Sequence, residues 1–235
     1  MSAFKPAWEQ GVFAALKSEN LAVWKSYVDH AFVRRLGDGT LPEDSFRHYL
    51  VQDYLFLMHF SRAYALAVYK SDNLDDMRMA AATMDALLNE EMQLHLRYCA
   101  QWGLEEADMA RVDEAPENLA YTRFVLEAGL SGDLLDLLVA LVPCVAGYGE
   151  IGLRLSPAAG TNLSGNPYRD WIETYAGDDY QSVVVSALKQ LDRVAAARAG
   201  GAVRQSGRWN ALCKTFGAAT RLEVGFWNMG LSPDR

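Results

Sequence analysis

The chain has 235 residues, 51% of them hydrophobic, enough to bury a large core; it carries a formal net charge of −8 and a pI near 5.0. That acidity argues against nucleic acid and against an anionic membrane surface as partners, and suits a small cationic or neutral ligand better. Cys99, Cys144 and Cys213 form neither a CxxC pair nor a spaced disulfide framework, which fits a reducing cytoplasm.

The start, Met1 to Pro6, lacks a basic segment, an apolar core and a small-residue cleavage site, so no signal peptide is expected. From Trp8 to Arg35 apolar residues recur at helical spacing, as one long helix or two short ones. Leu36 to Pro42 reads as a loop, and Pro42-Glu43-Asp44 suits the first turn of a helix running to about Lys70. That helix is unusually aromatic. It sets Asp53 on one face with Tyr49, Phe56 and Phe60, where a carboxylate is expensive to bury without a partner. A third helical region spans Asp75 to Gly103, and a connection follows to Pro116. Another helix runs from Glu117 and is closed by Gly129.

The next stretch organises the rest. Ser131 or Asp133 caps an almost wholly apolar helix in which Cys144 and Tyr148, four apart, share a face. Ala146, Gly147, Gly149 and Gly152 let another backbone or a flat ligand approach, and Pro143 should bend the helix near the thiol. The apolar run Leu134 to Ala146, interrupted by Asp136 and Pro143, reads as too short to span a membrane. After an irregular loop at 156–167, helices start at Tyr168, cover Val183 to Val194, and end the chain from Trp209 to Met229; 193–208 reads as a helix end and turn. No alternating strand and no repeat is evident, so the chain reads as all-α.

Inward-facing Asp53, Tyr121, Cys144 with Tyr148, and Glu223 would supply a nucleophile, an acid/base carboxyl, an anchoring carboxylate and aromatic walls, with Tyr168 or Tyr175 closing the site. A lone buried cysteine is more often a small hydrophobe. Glu91 and His95, four apart, could face a metal, but a di-metal bundle needs a second such set; His95 and His59 read rather as core or interhelical histidines. His30 is a conceivable haem ligand without a supporting signature.

The segments Gly37-Asp38-Gly39-Thr40-Leu41-Pro42, Gln52-Asp53-Tyr54, Glu91-Met92-Gln93-Leu94-His95, Ala120-Tyr121-Thr122, Pro143-Cys144 with Tyr148, Trp171 to Tyr175, and Glu223-Val224-Gly225-Phe226-Trp227 together resemble the TenA/thiaminase II family. The resemblance covers nearly the whole chain, as a single domain over 1–235. It implies a haem-oxygenase-like helical bundle, commonly a homotetramer, without metal or cofactor. The implied activity converts 4-amino-5-aminomethyl-2-methylpyrimidine to its hydroxymethyl counterpart and ammonia in thiamin salvage, and cleaves thiamin. It further implies that Cys144 is the nucleophile, Glu223 the acid/base, and Asp53 the residue that holds the pyrimidine; Tyr121, Tyr148 and Tyr175 line the pocket. Phe56 stands where many members have tyrosine, removing a hydroxyl from the pocket wall, and 193–207 is longer than typical. The competing readings are a metal- or cofactor-dependent oxygenase of the same fold and a non-catalytic pyrimidine-binding or regulatory protein.

Overall fold

A computed structural model describes residues 10–233, and every regular element among them is helical. The expectations for Met1 to Pro6 and for a helix starting at Trp8 lie outside the described residues. The helices are α1 (Gly11–Glu19), α2 (Leu21–Val28), α3 (Ala31–Asp38), α4 (Glu43–Lys70), α5 (Leu74–Ala86), α6 (Met92–Gln101), α7 (Glu106–Met109), α8 (Pro116–Ser131), α9 (Leu134–Leu155), α10 (Arg169–Ala176), α11 (Asp178–Ala199) and α12 (Trp209–Gly230). A π-helical turn, Leu87–Glu91, joins α5 to α6.

The centre is α9, packed against α2, α4, α8, α10, α11 and α12. Its first turn is closed reciprocally. The Asp133 carboxylate accepts from the N–H of Leu135 at 3.0 Å, while Asp136 accepts from the N–H of Asp133 at 2.9 Å. Such caps stabilise a helix by about 1 kcal/mol. Arg208, just before α12, donates to both carboxylates at 2.8 and 2.9 Å and joins the two helices. From Leu134 to Gly149 every residue except Asp136 is buried, and the helix runs through Pro143 without a break. The run judged too short to span a membrane is thus part of a 22-residue helix that is long and apolar enough to do so, and most of it is covered by its neighbours.

The glycines of α9 act as anticipated. A Cβ on Gly147 would lie 2.1 Å from the Tyr27 ring, and one on Gly152 would lie 2.5 Å from the backbone of Tyr175, so α2 and α10 approach only because these positions are bare. Elsewhere the structure corrects the reading. The N-terminal stretch is three helices, because Asn20 ends α1 by donating from its amide to the carbonyls of Leu16 and Cys213 at 3.0 and 3.2 Å. Both ring nitrogens of His30 are engaged: Nδ1 caps α3 by accepting from the Phe32 N–H at 3.2 Å, and Nε2 lies 3.1 Å from the Asn228 side-chain oxygen. Leu36 to Asp38 is helical, and the turn falls at Gly39, φ +76°. Gly129 lies inside α8, where Leu66 and Leu137 close over it. Residues 193–208 are more ordered than a loose turn: α11 continues to Ala199, and Arg193 and Arg198 pair with Asp76 and Asp72.

Candidate active site

On α4 the 3.6-residue period carries Tyr49, Asp53, Phe56 and Phe60 inward, as the pattern predicts. Asp53 is not left unpaired. Its Oδ2 accepts from the Tyr49 hydroxyl at 2.8 Å and faces His95 Nε2 at 2.7 Å. The other imidazole nitrogen, Nδ1, lies 2.9 Å from the Glu91 carbonyl and must donate to it, since a carbonyl only accepts. Nε2 against a carboxylate then also calls for a proton, and His95 is indeed raised: burial pulls it down, but the hydrogen bond and charge of Asp53 and the charge of Glu91 outweigh it. Both ring nitrogens are engaged, so the expected face shared by Glu91 and His95 is not a free pair of metal ligands. The Tyr49 oxygen accepts from Trp171 Nε1 at 3.3 Å and lies 3.3 Å from the Tyr148 hydroxyl, which connects the Asp53 cluster to α9 and α10.

The second cluster is built on α12. The Tyr121 hydroxyl donates to Glu223 Oε1 at 2.7 Å, and Cys144 lies near enough for the Glu223 charge to bear on its thiol. Burial pushes Glu223 up to about 8, with the Tyr121 hydrogen bond opposing it and the charge of Asp53 adding to it. Burial likewise raises the Cys144 thiol well above its usual range, reinforced by Glu223, Glu91 and Asp53 in that order. At neutral pH the resting forms are therefore a thiol and a largely protonated Glu223 carboxyl. A sulfur nucleophile here needs a base to take its proton.

A cavity of ≈ 540 Å³ opens between the π turn, α6, α10 and α11, and Cys144 and Tyr175 line it. Cys144 keeps 9% of its surface, against 3% for Asp53 and 2% for Glu223, so the sulfur is the most accessible of the three. Asp53, Glu223, Tyr121, Tyr148 and Phe56 are not on the cavity wall, although the charges of Glu223 and Asp53 bear on the thiol. Tyr148 packs on Tyr175 at 5.0 Å between ring centroids, and Phe56 on Tyr121 at 5.1 Å and Phe226 at 5.4 Å. Of the two tyrosines considered for closing the site, Tyr175 lines the cavity. Tyr168 instead donates to the Leu41 carbonyl at 2.5 Å and packs on Phe46, away from the thiol.

Two residues near the thiol were missed or placed in other roles, whereas His95, read as a core or interhelical hydrogen-bonding histidine, is the interhelical partner of Asp53. Glu91 read as half of a metal pair, yet it accepts from the Tyr175 hydroxyl at 2.5 Å and lines the cavity. Tyr27 gave no signal at all; its hydroxyl is buried without a hydrogen-bond partner, and Glu223, Cys144 and Tyr121 are the groups whose charges weigh on it. The Gln52 of the Gln-Asp-Tyr motif has a supporting role: it accepts from the Ala115 N–H at 2.9 Å and from Asn118 Nδ2 at 3.1 Å, pinning the start of α8 to α4.

Comparison with known proteins finds relatives along most of the chain. A protein from Haemophilus influenzae described as uncharacterized is 38% identical over 208 residues, 88% of this chain and 93% of its own. An aminopyrimidine aminohydrolase from Halalkalibacterium halodurans is 32% identical over 92% of this chain and 93% of its own. Among solved structures, a TenA family transcription regulator from a Silicibacter species superposes with a TM-score of 0.89 at 53% identity, covering 94% of this chain and 96% of that one. A TenA homologue from P. horikoshii gives 0.83 at 25% identity, over 95% and 100%. The profile of the TENA/THI-4/PQQC family matches residues 19–232, and with the all-helical fold and the relatives above, the chain belongs to that family.

Proposed function

We propose that the protein is an aminopyrimidine aminohydrolase of thiamin salvage, converting 4-amino-5-aminomethyl-2-methylpyrimidine to the hydroxymethyl pyrimidine and ammonia, and that it also cleaves thiamin. The observation that carries this reading is the Cys144 thiol on the wall of a cavity with the charges of Glu223 and Asp53 bearing on it. The names of the relatives from Halalkalibacterium halodurans and Bacillus subtilis, both aminopyrimidine aminohydrolases at 32% identity, support it.

In the mechanism we infer, the aminopyrimidine opens the wall beside Cys144 as it binds, so that Asp53, whose Oδ2 is held by Tyr49 and His95, anchors it through its amino group and a ring nitrogen. From the minor form in which Glu223 is ionised, the thiol gives its proton to the carboxylate as sulfur bonds to a ring carbon, and the ring loses aromaticity. The displaced electron pair then expels the substituent from the exocyclic methylene, and a neutral amine takes the Glu223 proton as it leaves as ammonia. Water adds to the methylene and returns a proton to Glu223. The C–S bond breaks last, and sulfur recovers that proton. Tyr121, donating to Glu223, favours the carboxylate that the first step needs. Purified protein supplied with the aminomethyl pyrimidine releases ammonia, and Cys144→Ala abolishes the release; full activity in that variant overturns the mechanism.

A further inference from the structure

Glu91 is a half-buried carboxyl that the reaction above does not use. It is enclosed by protein yet keeps part of its surface open to the cavity that Cys144 lines. Tyr175 occupies its Oε1, leaving its second oxygen without a hydrogen-bond partner among the described residues. It ends the π turn, an arrangement that is rare and concentrated at functional sites. Farther out, the same wall carries Glu90, Glu173 and Asp179 against a single cation, Arg97; Arg169, 2.7 Å from Glu173, offsets one of these acids. A channel lined by one sign of charge between low-dielectric walls concentrates ligands of the other sign.

We propose that Glu91 binds a cationic nitrogen on the methylene substituent of the substrate, so that the site selects pyrimidines whose leaving group arrives positively charged, as an alkylammonium or a quaternary aromatic nitrogen. The proposal rests on the aminohydrolase reading and adds to it the class of leaving group and the residue that recognises it. A nitrogen bound as ammonium departs as ammonia without drawing on Glu223. The proton given up by the incoming water then passes to the Glu91 carboxylate, which hands it to the departing ammonia, and sulfur recovers its own proton from Glu223. Glu91 also accounts for the position of Tyr175, whose hydroxyl holds the carboxyl at the cavity wall.

The test is calorimetric binding in the Cys144→Ala protein, where no turnover intervenes, with the aminomethyl pyrimidine as cationic probe and the hydroxymethyl pyrimidine as neutral one. The cationic probe binds about 10-fold tighter or more, and adding Glu91→Gln weakens it roughly 10- to 100-fold while the neutral probe changes by less than about 3-fold. Equal affinities in Cys144→Ala, or equal losses for both probes in the double variant, overturn the proposal. Should the double variant not fold, the preference of Cys144→Ala between the two probes decides alone. A cation preference in a protein that releases no ammonia would sink the aminohydrolase reading and leave Glu91 as a cation site; ammonia release without that preference would do the reverse.

Discussion

Replacing His95 by Leu tests whether Asp53 and His95 are a buried charged pair. Their side chains are 4% and 0% exposed, and the contact is 2.7 Å. Leucine fills much of the imidazole volume but donates nothing, so Asp53 keeps only Tyr49 and the Glu91 carbonyl loses its side-chain donor. Removing one member of such a pair costs about 3–5 kcal/mol. For a chain of this size, where 1 kcal/mol moves the melting temperature by about 2–4 °C, the variant melts roughly 6–20 °C lower. The pH dependence has a definite sign. A histidine raised on folding contributes its full stabilisation below its unfolded value of about 6.5 and loses it as pH rises through the higher folded value. Thermal unfolding followed by circular dichroism therefore shows the largest gap between wild type and His95→Leu near pH 6 and a smaller one in alkaline buffer. A drop below about 3 °C at pH 6, or a gap that widens with pH, refutes the charged pair.

Glu223→Gln trades function for stability: Glu223 is raised by burial to about 8, so ionising it in the fold is costly. Native protein then binds a proton that the unfolded chain has released between about pH 4.5 and 8, and wild-type stability falls with pH across that window. The glutamine variant accordingly melts above wild type at pH 8, while its turnover in an ammonia-release assay drops about 10²- to 10⁴-fold. Tyr27→Phe removes a hydroxyl that has no partner, so denaturant unfolding shows no loss of stability and a gain of up to about 1 kcal/mol; a loss greater than that would mean the hydroxyl is bonded. Gly152→Ala places a methyl 2.5 Å from the Tyr175 backbone, costing about 1–3 kcal/mol and displacing α10, read as a lower melting temperature with a higher KM.

What the sequence disclosed about this site was local. Tyr49, Asp53 and Phe56 on one face, Cys144 four before Tyr148, and the Asp133 cap all follow from the 3.6-residue period and short-range hydrogen bonding. What stayed hidden depends on partners distant in the chain. His95 meets Asp53 across 42 positions, Asn20 ends α1 partly through the carbonyl of Cys213, and Tyr27 reaches the site only because Gly147 is bare. Gly129 had the composition of a helix end, but packing against Leu66 and Leu137 keeps it inside α8. Glu91 and His95 were visible as a pair; their separate roles were not, since i, i+4 spacing cannot show that one ring nitrogen bonds its own helix and the other another helix.

The five residues Leu87 to Glu91 act as an expansion joint. A π turn closes i→i+5 rather than i→i+4 bonds, so it takes up one surplus residue locally and the helices on either side need not turn with it. Excising a single residue there would let ordinary helix run through the segment with the imidazole still facing the aspartate, and the loss would fall on the carboxyl inside the joint, which accepts from Tyr175.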